Sequence, residues 1–169
     1  MSSITTVIAR NDILCFYALN RKLHSKAMSI LMENMTHLGS TTFAVVTSLF
    51  SLIFNNRLGT MLAINLLASQ AVIHILKRVV NRPRPYKTLE WVIAIKPPKC
   101  KYSLPSGHSS SALSIALVLS HFYPGLTMVF VTAALITGVS RIYLGCHYPT
   151  DVSVGLFISY ATFITTLLF

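Results

Sequence analysis

The stretch LGTMLAINLLASQAVIHIL, residues 58–76, holds no charged side chain across its whole length. A helix of that length rises about 28 Å, close to the ~30 Å hydrocarbon thickness of a bilayer. Four further apolar stretches resemble it, at 39–54, 109–123, 126–140 and 152–169. The turns at 55–57 and 124–125 are short, so the helices they join run antiparallel. Small residues recur inside these stretches: Ala112, Ser114 and Ala116, then Ala133, Ala134 and Gly138, then Gly155, Ser159 and Ala161. In lipid such residues let helix backbones approach closely. The pattern predicts an all-α fold, a polytopic transmembrane helix bundle of about five spans, in one membrane-embedded domain over residues 1–169. Within it, 39–169 is the transmembrane core and 1–38 an interfacial segment.

That N-terminal segment reads as short amphipathic helices. Met28, Leu31, Met32 and Met35 fall at helical spacing, with Arg21, Lys22 and Lys26 around them. The stripe suits a helix lying in the membrane interface, or equally one packed on the rest of the protein. The apolar run 13–19 is short and flanked by Asp12 and Asn20, which does not read as a cleavable signal peptide.

Composition agrees with a lipid solvent. The chain is 53% hydrophobic and 11% charged, against about a quarter charged in soluble domains. Its formal net charge of +10 suits an anionic partner. The apolar content excludes nucleic acid and leaves membrane lipids or a phosphorylated substrate; no obligate protein partner is evident. The acidic residues are Asp12, Glu33, Glu90 and Asp151 alone. Four carboxylates scattered along the chain do not build a carboxylate metal site, so neither metal nor cofactor is expected. Cys15, Cys100 and Cys146 lack metal-ligand or disulfide spacing. Cys146 reads as a packing residue.

Threading the spans through a bilayer puts 1–38, 81–108 and 140–151 on one face. Thirteen of the fourteen Lys and Arg residues then lie on that face or at its span ends, and Arg57 lies opposite. Three polar groups converge there: Lys77 to Arg84-Pro85, Pro105-Ser106-Gly107-His108, and Ser140-Arg141 with His147 and Asp151. Any one alone is explained by snorkelling, a turn or a structural histidine. Their convergence on one face suits a bound phosphate. Lys77, Arg84 and Arg141 would neutralise it, the arginines with bidentate contacts. Ser106 and Gly107 open an apolar helix whose free backbone N–H groups would face the anion. His147 and Asp151 are four apart with Pro149 between, as in a helix's first turn. Asp151 could accept the His147 N–H and free the other nitrogen to attack. His108 is left to protonate the leaving oxygen.

These residues resemble the three signature motifs of the type 2 phosphatidic acid phosphatase family: K-x6-R-P, P-S-G-H and S-R-x5-H-x3-D. The sequence matches every fixed position, as Lys77 with Arg84-Pro85, Pro105 to His108, and Ser140-Arg141 with His147 and Asp151. The resemblance implies a metal-independent lipid phosphatase with a phosphohistidine intermediate. His147 would be its nucleophile, Asp151 the orienting acid and His108 the general acid. Lys77, Arg84, Ser106, Gly107 and Arg141 would bind phosphate, and Ser140 would contact phosphate or pack. It implies undecaprenyl pyrophosphate as the first-ranked substrate, then phosphatidylglycerol phosphate or phosphatidic acid. It also implies a multi-pass protein of the plasma membrane with an extracytoplasmic site. Members of the family often have six transmembrane helices, one more than is counted here. Vanadium haloperoxidases are similar at the same motifs but are soluble and much larger. A non-catalytic lipid-binding or transport protein would not need the His147–Asp151 couplet. Outside the motifs, His74 is expected to pack near the site, and Asn65 and Gln70 to hydrogen-bond between helices. Trp91 and Tyr102 suit the headgroup level or a substrate entrance.

Overall fold

The computed structural model describes residues 4–95, 97–98 and 100–168. Lys96 and Lys99, two of the cations expected in the long loop, fall outside them. Every extended regular element among the described residues is a helix. α1 (Ile4–Tyr17) runs on into a π-helical turn (Ala18–Lys22), and α2 (Lys26–Met35) into a 3-10 turn (Thr36–Gly39). α3 (Thr41–Phe54) and α4 (Asn56–Val80) follow, then the one-turn α5 (Pro85–Thr88). α6 (Gly107–Phe122), a short 3-10 turn (Pro124–Leu126), α7 (Thr127–Tyr143) and α8 (Pro149–Leu167) complete the chain.

The helix starts follow local chemistry. The side chains of Ser25, Ser40, Asn55 and Ser106 accept the backbone N–H groups of Met28, Phe43, Leu58 and Ser109. Each satisfies a donor the helix cannot. Prolines open α5 and α8, where the missing N–H costs nothing. Asn81 ends α4 in the left-handed region, at φ 51°, a conformation asparagine tolerates.

Three helical segments are long and apolar enough to cross a membrane: Asn56–Val80, Pro124–Tyr143 and Pro149–Leu167. Lys26–Gly39 and Thr41–Phe54 are long and apolar enough only when taken together, as a broken span or a re-entrant pair bent by 50°. The division expected at residue 38/39 falls at this bend. α6, expected as a span, has 16 residues and rises only ~24 Å. It is enclosed by α3, α4, α7 and α8 rather than by lipid. Its residues Ser109 through Ala116 are all buried, whereas α3, α4, α7 and α8 turn large apolar side chains such as Phe50, Leu67, Val129 and Phe157 outward. A girdle of this kind suits hydrocarbon and not water.

Small polar residues tie the bundle at its centre. Ser114 of α6 meets Ser69 of α4 at 3.2 Å and Ser159 of α8 at 2.9 Å. Asn65 accepts from Thr162 at 2.9 Å, and Gln70 donates to Gly107 O and Ser111. Both residues thus join helices as expected. The N-terminal helices pack on the protein. Phe16 is fully buried against Ile142 and Val152. Of the methionine stripe, Met32 buries against Tyr143 and Leu144 while Leu31 faces outward.

Candidate active site

The segments 1–38, 81–108 and 140–151 meet at one end of the bundle. Asn20, fully buried in the π-helical turn, holds two of them together. Its amide donates to Ile93 O and Tyr143 O, and its carbonyl accepts from Ile93 N, all at 2.7–2.9 Å. The loop after α4 folds back on itself through a bridge between Pro83 and Tyr102. Ser103 donates its backbone N–H to Arg82 O, and its hydroxyl to Pro83 O. The loop is thereby laid over the helix ends that carry the three motifs.

Arg84 is 1% exposed, and its guanidinium is held by two backbone carbonyls. Nε donates to Cys100 O at 2.7 Å and Nη1 to Cys146 O at 2.8 Å. Nη1 also stands 3.2 Å from His147 Nε2. A guanidinium only donates, so Nε2 offers its lone pair there and the proton of the neutral ring sits on Nδ1. Burial holds the His147 imidazole well below its ordinary pKa, and the charges of Arg84, Arg141 and Lys77 act the same way. A neutral histidine with its Nε2 unprotonated and set among cations has the protonation state a nucleophile needs.

Nδ1 points to Asp151, but Oδ2 lies 3.6 Å away and Nδ1 has no hydrogen bond. The sequence spacing suggested a direct bond. The structure shows why the gap is wider: Asp151 occupies the third position of α8, and its Oδ2 accepts the Tyr148 N–H at 2.8 Å. Its other oxygen accepts from Arg82 at 2.7 Å. Arg82 in turn donates to Asp12 at 2.6 Å and Thr150 at 2.7 Å, and stacks 4.0 Å over the Tyr148 ring. Asp12 closes the network by accepting from Thr150 N and Oγ1. Burial works against the Arg82 charge, yet Asp151 and Asp12 outweigh it and raise its pKa.

The remaining motif residues surround this pair. His108, half-buried in the first turn of α6, is within electrostatic range of Arg141, His147, Lys77 and Arg84. Lys77 closes α4, and its Nζ lies 4.0 Å from where a side chain on Gly107 would begin. Arg141 donates to Thr36 at 2.6 Å, while its buried Nε has no partner. An orphaned guanidinium N–H facing the site is a vacant donor for an anion. Ser106 caps α6, and its backbone N–H donates to Asp151 O at 2.9 Å. Ser140 Oγ bonds Thr137 O in its own helix at 2.6 Å, which is a packing role. Cys146 buries with Met32 and Tyr143 as expected, and its carbonyl also receives Arg84. His74 is exposed and lines a groove with Gln70 and Ser111 beside α6. Trp91 is exposed, and Tyr102 is half-buried against Pro83.

Two glycines shape the site. Gly145 sits at φ +76° between Arg141 and His147, and a side chain there would strike Ile93 O. A β-carbon on Gly39 would overlap the His108 carbonyl, so the α2–α3 bend rests directly on the histidine's backbone. Among the described residues, no three His, Cys, Asp or Glu side chains group as a metal ion would require.

Residues 58–169 match the family model of the PAP2 superfamily. A lipid A 1-phosphatase of Rhizobium johnstonii is 25% identical over 83% of this chain and 60% of its own length. The undecaprenyl-diphosphatase BcrC of Bacillus subtilis is 31% identical over 51% of this chain and 44% of its own. The chain thus spans well under two thirds of the length of these curated relatives. Among solved structures, Aquifex aeolicus LpxE superposes with a TM-score of 0.85 at 28% identity, covering 93% of this chain and 94% of the other.

Proposed function

The chain belongs to the PAP2 superfamily, and from that premise we propose that it hydrolyses a lipid phosphate or pyrophosphate through a phosphohistidine at His147. One observation carries the reading: His147 Nε2 stands 3.2 Å from Arg84 Nη1, and Lys77, Arg141 and His108 lie within electrostatic range of the same ring. Nε2 attacks phosphorus, forming the N–P bond as the bond to the lipid oxygen breaks. His108, whose protonated form a phosphate dianion favours, passes its proton to that oxygen. Lys77, Arg84, Arg141 and the first amides of α6 hold the oxygens that gain charge. Asp151 takes up the positive charge on the ring by closing its gap to Nδ1, a tightening ordinary between free and substrate-bound sites. Water then attacks the phosphohistidine, giving its proton to His108 and releasing inorganic phosphate.

The substrate is an anionic lipid whose head reaches the cations while its tails stay in the bilayer. Undecaprenyl pyrophosphate leads, and the relatives add a lipid A 1-phosphate to phosphatidylglycerol phosphate and phosphatidic acid as comparators. Five crossings, by α3, α4, α6, α7 and α8, fit the chain, because α6 runs between the same two ends as α4 and α8. The family resemblance favours the extracytoplasmic face of the plasma membrane for the site.

The test is phosphate release by the purified protein from that lipid panel in EDTA. We expect turnover to survive the chelator and to vanish in His147→Ala. His108→Ala should lose about 10²–10⁴-fold in rate. Full turnover by His147→Ala, or loss of turnover in EDTA, would overturn the mechanism.

A further inference from the structure

A cavity of about 730 Å³ opens at the end of the bundle opposite the candidate active site. Arg57, Thr60 and His121 form its polar end, and Met61, Ile64 and Ala68 wall it along α4. Lys77 and Arg57 lie on the same helix, twenty residues apart, or about 30 Å. That distance matches the hydrocarbon thickness. With Lys77 at one interface, Arg57 therefore stands at headgroup level in the other leaflet. From Arg57 to Ala68 the cavity runs about 16 Å inward, roughly half the hydrocarbon core. Its form is that of a single-leaflet lipid, charged at one end and apolar to the midplane.

The charge is unmatched among the described residues. Arg57 has no ion-pair or hydrogen-bond partner among the described residues, and none of Asp12, Glu33, Glu90 and Asp151 lines the cavity. Lipid phosphates are the anions available at that depth. An arginine that only anchors a helix end needs no cavity beneath it.

We propose that this cavity binds an anionic phospholipid of the leaflet opposite the active site. Its phosphate sits on Arg57 and His121, and an acyl chain lies against Met61, Ile64 and Ala68. The site is separate from the catalytic pocket and needs no turnover.

Native mass spectrometry of the full chain in detergent tests this, using phosphatidylglycerol and phosphatidylcholine of identical acyl composition. Wild type should retain phosphatidylglycerol at least tenfold better. Arg57→Gln should abolish the preference and Arg57→Lys restore most of it. Ala68→Phe should lose the lipid although Arg57 remains. Ile64→Trp, on a partly exposed position of the same wall, repeats that test should Ala68→Phe fail to fold. Phosphatase activity should be unchanged in every folded variant. Equal retention of the two lipids by wild type would overturn the proposal. So would wild-type retention in the folded wall variants, which would reduce Arg57 to a surface anchor.

Discussion

Several donors compete for the two carboxylate oxygens of Asp151, among them the Tyr148 N–H, the Arg82 guanidinium and, at 3.6 Å, the His147 ring. The first two hold the carboxylate in place, and Asp12 and Thr150 hold Arg82. Arg82→Gln should therefore lower kcat about 10²-fold with KM within about twofold, because a misplaced orienting group costs rate rather than affinity. Asp12→Asn should show the same split with a smaller drop. Steady-state kinetics on a soluble-headgroup lipid would read both, and a change confined to KM would count against the positioning role. A pH effect follows from His147. Its folded pKa is depressed, so the unfolded chain binds the extra proton first as pH falls. The stability that comes from keeping the ring neutral is complete above its unfolded pKa of ~6.5 and is lost as pH drops below it. The slope is at most about 1.4 kcal/mol per pH unit for one proton. Thermal midpoints in detergent should thus fall more steeply below pH 6.5 for wild type than for His147→Gln. The sequence pattern was enough to find the motif residues, because their spacing and helix-end positions are local. Asp12 and Arg82 were not found that way, because their contacts join positions 70 and 138 residues apart. Asp12 did leave one signal, a lone carboxylate at the edge of an apolar run.

Element boundaries carry the next level of control. The α2–α3 bend brings Gly39 onto the His108 carbonyl and Thr36 onto Arg141. The bend thus sets the height of His108, the proposed general acid, and the orientation of Arg141, a proposed phosphate ligand. Gly39→Ala should displace the start of α6, cutting phosphate release at least tenfold and lowering the thermal midpoint. Gly125→Ala, at the turn before α7, meets nothing within 4 Å and should leave both unchanged. Equal behaviour of the two variants in the same assay would remove Gly39 from this role. Periodicity located each apolar helix to within a few residues, because caps and prolines are local signals. It placed the end of the second span at residue 76, whereas α4 runs on to Val80 and carries Lys77 in its last turn. Charged residues look like a span end in sequence, but here they continue the helix into the site. The boundary expected at 38/39 falls at the 50° bend between Gly39 and Thr41.

At the scale of the whole molecule, charge is segregated along the bundle axis. Among the described residues, eleven of the twelve Lys and Arg belong to the candidate-site end and Arg57 to the other, a bias that in most membrane proteins marks the cytoplasmic side. Part of that bias has another cause. Arg84 and Arg141 are buried, Lys77 stands beside Gly107, and Arg82 is spent on Asp12 and Asp151. Charges held at the proposed active site have no need to report on insertion. Both exposed cysteines lie at the same end, Cys15 on α1 close to Asp12 and Cys100 beside Arg84, while Cys146 is buried. Burial acts to raise the Cys100 thiol, but the Tyr102 backbone and the charges of Lys77 and Arg84 hold it below its usual pKa. Its thiolate fraction at neutral pH is therefore enhanced, and it should react quickly with a maleimide. A membrane-impermeant maleimide added to intact cells should label the Cys15→Ser variant at Cys100 if the site faces outward. Phosphate release should fall with the same time course, since the adduct stands beside Arg84 at the pocket. Labelling that appears only after lysis would place the catalytic end in the cytoplasm and restore the full weight of the positive charge bias.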